Sequence, residues 1–181
     1  MALGIFAVQW IGLIHARLFE TEHCFDLVGS LTYIAVTAFA IQQAGEIGLR
    51  QQIIAGVVIV WAARLGPFLF RRIQKAGEDR RFRKIKLSTP RFLVTWTLQG
   101  TWVFLTAGAA LAAIMTPNTA PLGTVFYVGA AIWVVGFAVE VIADNQKTAF
   151  KADPANKNKF ITTGIWARAQ HPNYFGEILL W

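Results

Sequence analysis

Long apolar runs separated by short polar breaks dominate the chain, and their lengths predict helices that cross a bilayer. A hydrocarbon core about 30 Å thick needs roughly 20 helical residues. Five runs approach or exceed that: Ala2 to Phe19, Leu27 to Ala44, Ile53 to Phe70, Phe92 to Met115 and Thr124 to Ala143. The first is interrupted by Gln9, His15 and Arg17, the last two near its end. Turn residues mark the breaks: Gly45 and Gly48 after the second run, Gly66-Pro67 near the end of the third, and Pro117-Asn118 with Pro121 between the fourth and fifth. A sixth run opens at Pro172, but only ten residues remain to Trp181, too few to span. The pattern predicts an all-α polytopic membrane helix bundle, a single transmembrane domain over residues 1–181, with five complete spans, the start of a sixth and the C-terminal part missing.

Composition agrees, since 55% of residues are hydrophobic, well above ordinary globular usage. Charge then sets orientation. Seventeen Lys and Arg against ten Asp and Glu give +7, and the excess is clustered. Residues 71–91 hold nine Lys or Arg against Glu78 and Asp79, and residues 144–171 hold five against Asp144 and Asp153. The positive-inside rule places both loops in the cytoplasm and the nearly uncharged Thr116 to Gly123 turn outside, with the N-terminus also outside and Arg50 the one exception. Such clustering signals topology and contact with anionic lipid rather than nucleic-acid binding. The first run lacks a basic n-region and a small-residue cleavage site, so it reads as a retained segment rather than a removable leader. The single cysteine, Cys24, excludes an intramolecular disulfide framework and a multi-cysteine zinc site.

Polar chemistry gathers at the end of the chain. Glu140, Asp144 and Lys147 recur at spacings of four and three, which places them on one helix face. Pro172 suits the first turn of a helix, where its missing N–H costs no intrahelical bond. Asn173 and Glu177 then stand one turn apart, and the helix start beside His171 suits a phosphate or another anion. Lys147, Lys151, Lys157, Lys159 and Arg168 surround the same stretch. Ionisable residues within apolar spans are costly, at least about 2.5 kcal/mol at the bilayer centre. Arg64 and Glu140 are therefore functional candidates. Residues 140–177 read as a pocket for a polyanionic cofactor at a membrane surface. No metal site is expected, because His15, His23 and His171 are far apart in sequence and none belongs to a ligand pair. There is no Gly-x-Ser-x-Gly elbow, P-loop or Gly-x-Gly-x-x-Gly fingerprint.

The stretch from Glu140 through Asp144, Lys147, Phe150 and Asn156, followed by Gly164-Ile-Trp166 and His171-Pro-Asn-Tyr-Phe-Gly-Glu177, resembles the steroid 5-alpha-reductase-like integral membrane family, specifically a bacterial branch of unassigned function. Trp61-Ala-Ala-Arg64-Leu-Gly66, Arg80-Arg-Phe82 and Phe25-Asp-Leu-Val-Gly29-Ser30-Leu-Thr-Tyr33 extend the likeness over nearly the whole chain. The resemblance implies an inner-membrane bundle that binds NADPH from the cytoplasmic side and reduces a carbon–carbon double bond of a lipid-like substrate (steroid, isoprenoid or fatty enone). It matches Asp144 to a nucleotide-contacting aspartate, Asn173 to an asparagine near the nicotinamide, Glu177 to a glutamate one turn deeper, and Arg64 to a cofactor-facing arginine. Lys147 and His171 fall at cofactor contacts of a related sterol-reductase branch. With Trp166 and Arg168 from the polar loop they complete the expected cofactor set, and Glu177 and Tyr174 are the candidate catalytic residues.

Two departures bear on substrate and chemistry. Trp61 stands where the steroid enzymes carry a carbonyl-polarising tyrosine, and an indole lacks a phenol's acidity. Gln170 replaces an arginine before the His-Pro pair, with Arg168 two residues earlier. His-Pro-x-Tyr-x-Gly is also shared with the isoprenylcysteine carboxyl methyltransferases, so an S-adenosylmethionine-dependent membrane methyltransferase is an alternative, as is a non-catalytic lipid-binding membrane protein. Neither nucleic acid nor an obligate protein partner is implied.

Overall fold

The computed structural model describes residues 1–117 and 121–181. Six α-helices run Ala2–Leu18 (α1), Phe25–Ala44 (α2), Leu49–Ala76 (α3), Thr89–Met115 (α4), Thr124–Ala152 (α5) and Pro172–Leu180 (α6), and no strand occurs among the described residues. Four of them, α2 to α5, have the length and apolar composition to cross a membrane. The expectation of five complete spans and the start of a sixth is corrected accordingly, and α1 makes the difference. Its 17 residues reach about 26 Å at 1.5 Å per residue, short of a 30 Å core. The helix stops at Leu18, two residues before Glu20 takes a positive φ. Conversely, Gly66-Pro67 does not break α3, which continues to Ala76. One backbone donor is lost at Pro67, but Gly66 packs so closely that a Cβ there would stand 2.5 Å from the Cβ of Ser30 on α2. This tertiary contact keeps the two helices together through the proline.

The chain forms two compact units, Met1–Thr119 and Ala120–Trp181. Residues 118–120 of the expected outer turn, including Asn118, lie outside the described residues. In the first unit α2 packs against α1, α3 and α4, and α4 also contacts α1 and α3. Gln9, fully buried on α1, donates from Nε2 to Thr32 Oγ1 on α2 at 2.8 Å, and Thr32 donates in turn to the carbonyl of Val28. Gln99 Nε2 on α4 reaches the carbonyl of Phe25 at 2.9 Å, over Gly29, where a Cβ would collide with it. These bonds explain why polar residues persist inside apolar runs: in a membrane interior their donors need protein acceptors.

The segment between α3 and α4 is folded onto the first unit rather than left as a charged loop. Phe82, in a short 3-10 turn (Arg80–Phe82), is buried edge-on against Phe25 at 4.8 Å, and Phe25 meets Trp96 edge-on at 5.0 Å. Around this aromatic plug Glu22 between α1 and α2, Asp26 in the first turn of α2, and Glu78 and Asp79 between α3 and α4 take up cations. Glu22 accepts from Lys86 Nζ at 2.9 Å and from the Asp79 N–H at 3.1 Å. Arg81 bridges Asp79 and Asp26, and Arg83 pairs with Glu78. Burial disfavours the Glu22 anion, yet the bonds from Lys86 and Asp79 outweigh it and hold the carboxyl below its ordinary range. Asp79 behaves alike: burial opposes ionisation, and the Arg81 side chain and N–H overcome it.

Candidate functional site

α5 is 29 residues long, about 44 Å. Its first twenty residues, Thr124 to Ala143, are enough to cross a hydrocarbon core, and the polar residues from Asp144 onward extend past that length. The buried residues of α5 are Gly136, Glu140, Ala143 and Asp144, spaced four, three and one apart on one face. On α6 the buried set is Pro172, Gly176 and Leu180, spaced four apart.

The two stripes meet at glycine. A Cβ on Gly176 would lie 2.6 Å from the Gly136 carbonyl oxygen and 2.7 Å from the Glu140 nitrogen; one on Gly136 would lie 2.7 Å from the Gly176 oxygen. Both obstructions are backbone, so only glycine permits this approach. The crossing thus brings the Glu140 backbone against Gly176, one turn after Asn173 and next to Glu177, both of which are half-buried on the flank of the packed stripe.

A second contact set fastens the intervening loop. Gly164 has a φ of +62° and lies over Gln146, whose Oε1 accepts the Ile165 N–H at 3.1 Å. Trp166, 9% exposed, donates its indole N–H to the Ala143 carbonyl at 3.0 Å, and the Lys147 ammonium sits 4.6 Å from the centre of its ring. Nearer α5, Asp153 accepts the Ala155 N–H and Asn156 donates to the Phe150 carbonyl, closing the helix end. The loop therefore returns to α5 at Ala143, Gln146 and Lys147 before α6 begins.

The expected site residues fall out as follows. Asp144, Lys147, Trp166, Arg168, His171, Asn173, Tyr174 and Glu177 all belong to the second unit, while Arg64 belongs to the first. Asp144 is buried and Lys147 half-buried on the α5 stripe. Arg168 is exposed directly after the 3-10 turn Gly164–Ala167. His171 is the residue capping α6, and its ring lies 5.3 Å from that of Tyr174. Tyr174 is 58% exposed, on the side of α6 away from the Pro172, Gly176 and Leu180 stripe. Arg64 is half-buried on α3 with its guanidinium 4.9 Å from the centre of the Phe68 ring.

Gln146 acquires a role, bonding Ile165, that no spacing signalled, because its partner is 19 residues away. So does Tyr33. Its ring meets Trp61 edge-on at 5.0 Å, and its hydroxyl bonds Thr106 Oγ1. A phenol therefore stands beside the indole at the position where the resemblance leads one to expect tyrosine.

The second unit suits a polyanion. Lys151, Lys157, Lys159 and Arg168 are exposed around it, and α6 starts with proline in its first turn, its N-terminal end carrying partial positive charge. His171, Asn173 and Glu177 add both donors and acceptors beside that end. A family model described as a protein of unknown function (DUF1295) matches residues 12–181. No curated protein and no solved structure matches the chain.

Proposed function

The chain belongs to the DUF1295 family, and from the site that its second unit builds we propose that it is a membrane oxidoreductase using NADPH to reduce a carbon–carbon double bond of a lipid-like substrate. The observation that carries this reading is the glycine crossing, which packs Gly136 and Glu140 of α5 against Gly176 of α6, between Asn173 and Glu177 in the chain. The resemblance of the same residues to steroid 5-alpha-reductase-like proteins of a bacterial branch supports it. The inner membrane, with the site on the cytoplasmic side, is the proposed location.

NADPH, when bound, supplies the hydride. Lys147, Arg168 and the α6 N-terminus would offset phosphate charge, and Asp144 would complete the cofactor set within the second unit. Trp166 acts through Lys147 and Ala143, which it touches. Asn173, both donor and acceptor, fixes a carboxamide. Glu177 delivers a proton to the carbon opposite the one that takes hydride, so one double bond gains two hydrogens, and water reprotonates the carboxylate. Tyr174, with His171 beside it, is the second catalytic candidate. Positioning of this kind supplies much of the rate in two-substrate chemistry.

NADPH consumption by purified protein with an enone lipid tests the proposal. Glu177→Gln keeps a donor but surrenders no proton; it should retain NADPH binding and slow turnover about 10²-fold or more. Asn173→Ala should weaken cofactor binding and turnover together. Wild-type rates in both Glu177→Gln and Glu177→Ala would remove Glu177 from the mechanism.

A further inference from the structure

The segment leading into α4 holds a feature that this chemistry does not use. An open groove of about 360 Å³ is lined by Ile85, Pro90, Arg91, Val94 and Thr95, within the range of small-ligand sites, about 300–1,000 Å³. Apart from Arg91 the lining offers little polar chemistry, since the Thr95 hydroxyl already donates to the carbonyl of Arg91. The groove continues onto an apolar face of α4. Val94, Leu98, Trp102 and Leu105 are each more than half exposed, and spacings of four, four and three put them in one row along the helix.

A cation stands at the polar end of this row. Of the nine Lys and Arg in residues 71–91, Arg81, Arg83 and Lys86 are engaged by Asp26, Asp79, Glu78 and Glu22. Arg91 forms no ion pair among the described residues, nor does Lys84 beside Ile85, and both are exposed. An apolar row with a free cation at the membrane boundary complements a molecule that joins an anionic phosphate to an acyl chain. A second copy of this chain is a poor occupant, because it carries +7 and would bring like charge to the groove.

We infer that the groove seats an anionic phospholipid of the surrounding bilayer, its phosphate at Arg91 and one acyl chain along Val94, Leu98, Trp102 and Leu105. Diffuse attraction of anionic lipid would be shared among all the exposed cations, at about 1 kcal/mol each. A seated lipid instead concentrates the effect at Arg91.

Native mass spectrometry of the detergent-purified protein, titrated with phosphatidylglycerol, phosphatidylcholine or glycerol 3-phosphate, separates these cases. Phosphatidylglycerol should be retained at least about fivefold better than phosphatidylcholine, with glycerol 3-phosphate not retained. Arg91→Gln should abolish that preference and Arg91→Lys restore most of it. Arg71→Gln, at an exposed cation outside the groove, should leave it intact. Equal losses in Arg91→Gln and Arg71→Gln would overturn the proposal in favour of diffuse surface charge. Equal retention of the two lipids would overturn it too, as would glycerol 3-phosphate binding as well as phosphatidylglycerol, which would make the occupant a soluble phosphate.

Discussion

Glu22 is 2% exposed, and its two strong partners, Asp79 and Lys86, are 57 and 64 residues away. Nothing in the acidic turn between the first two apolar runs discloses such partners, because local pattern sees only neighbours in sequence. The network has a pH signature. A carboxyl whose folded pKa lies below its unfolded value, here about 4.5, contributes its full stability above that value. It loses that contribution as pH falls through the lowered folded pKa. Glu22→Gln should therefore be less stable than wild type by about 1–3 kcal/mol near neutral pH, where it leaves Lys86 and the Asp79 N–H poorly paired. The difference should shrink as pH drops below about 4.5, since the wild-type carboxyl is then protonated as well. Thermal unfolding in detergent from about pH 7 to about pH 3 reads both quantities. A stability gap that does not change with pH would mean that the charge on Glu22 is irrelevant to the fold.

The helices were legible wherever apolar length decides. Four runs reappear as α2 to α5; the ends at Ala44, Met115 and Thr124 coincide, and the other five reach two to nine residues further into helix-compatible flanking sequence, such as Asp144 to Ala152. The α5 stripe and the start of α6 at Pro172 were legible too, because helix periodicity and proline chemistry are local. Gly66-Pro67 misled because its support, Ser30 on α2, is a tertiary contact. The α5–α6 crossing was not legible, because Gly136 and its partner Gly176 lie 40 positions apart and no local pattern links them. Gly176→Ala should lower stability by about 1–3 kcal/mol, the usual cost of overpacking, despite a helix-propensity gain of up to about 1 kcal/mol. At Gly129, where a Cβ meets nothing within 4 Å, the same change should leave stability unchanged or slightly raised. Thermal unfolding of the two variants side by side measures this, and similar melting for both would dismiss the glycine crossing as a constraint.

As a whole, the molecule reads from charge as having both basic stretches on one side of the membrane. Reporter fusions after Lys86 and after Thr116, at opposite ends of α4, should report opposite sides. A single side for both would show that α4 does not cross. An outward N-terminus further requires α1 to cross despite its 17 residues, which a third reporter at Met1 reads directly. What the sequence left open at this scale was chemistry, because His171-Pro-Asn-Tyr-Phe-Gly resembles motifs of two families with different cofactors. The most direct test is calorimetric titration of the purified protein with NADPH, NADH and S-adenosylmethionine. The 2′-phosphate of NADPH can gain charge-assisted hydrogen bonds from Lys or Arg. NADPH should therefore bind about tenfold or more tighter than NADH, equivalent to about 1.4 kcal/mol, with Arg168→Gln narrowing the gap and S-adenosylmethionine giving no heat. Selective binding of S-adenosylmethionine, with neither nicotinamide nucleotide bound, would contradict the reductase account.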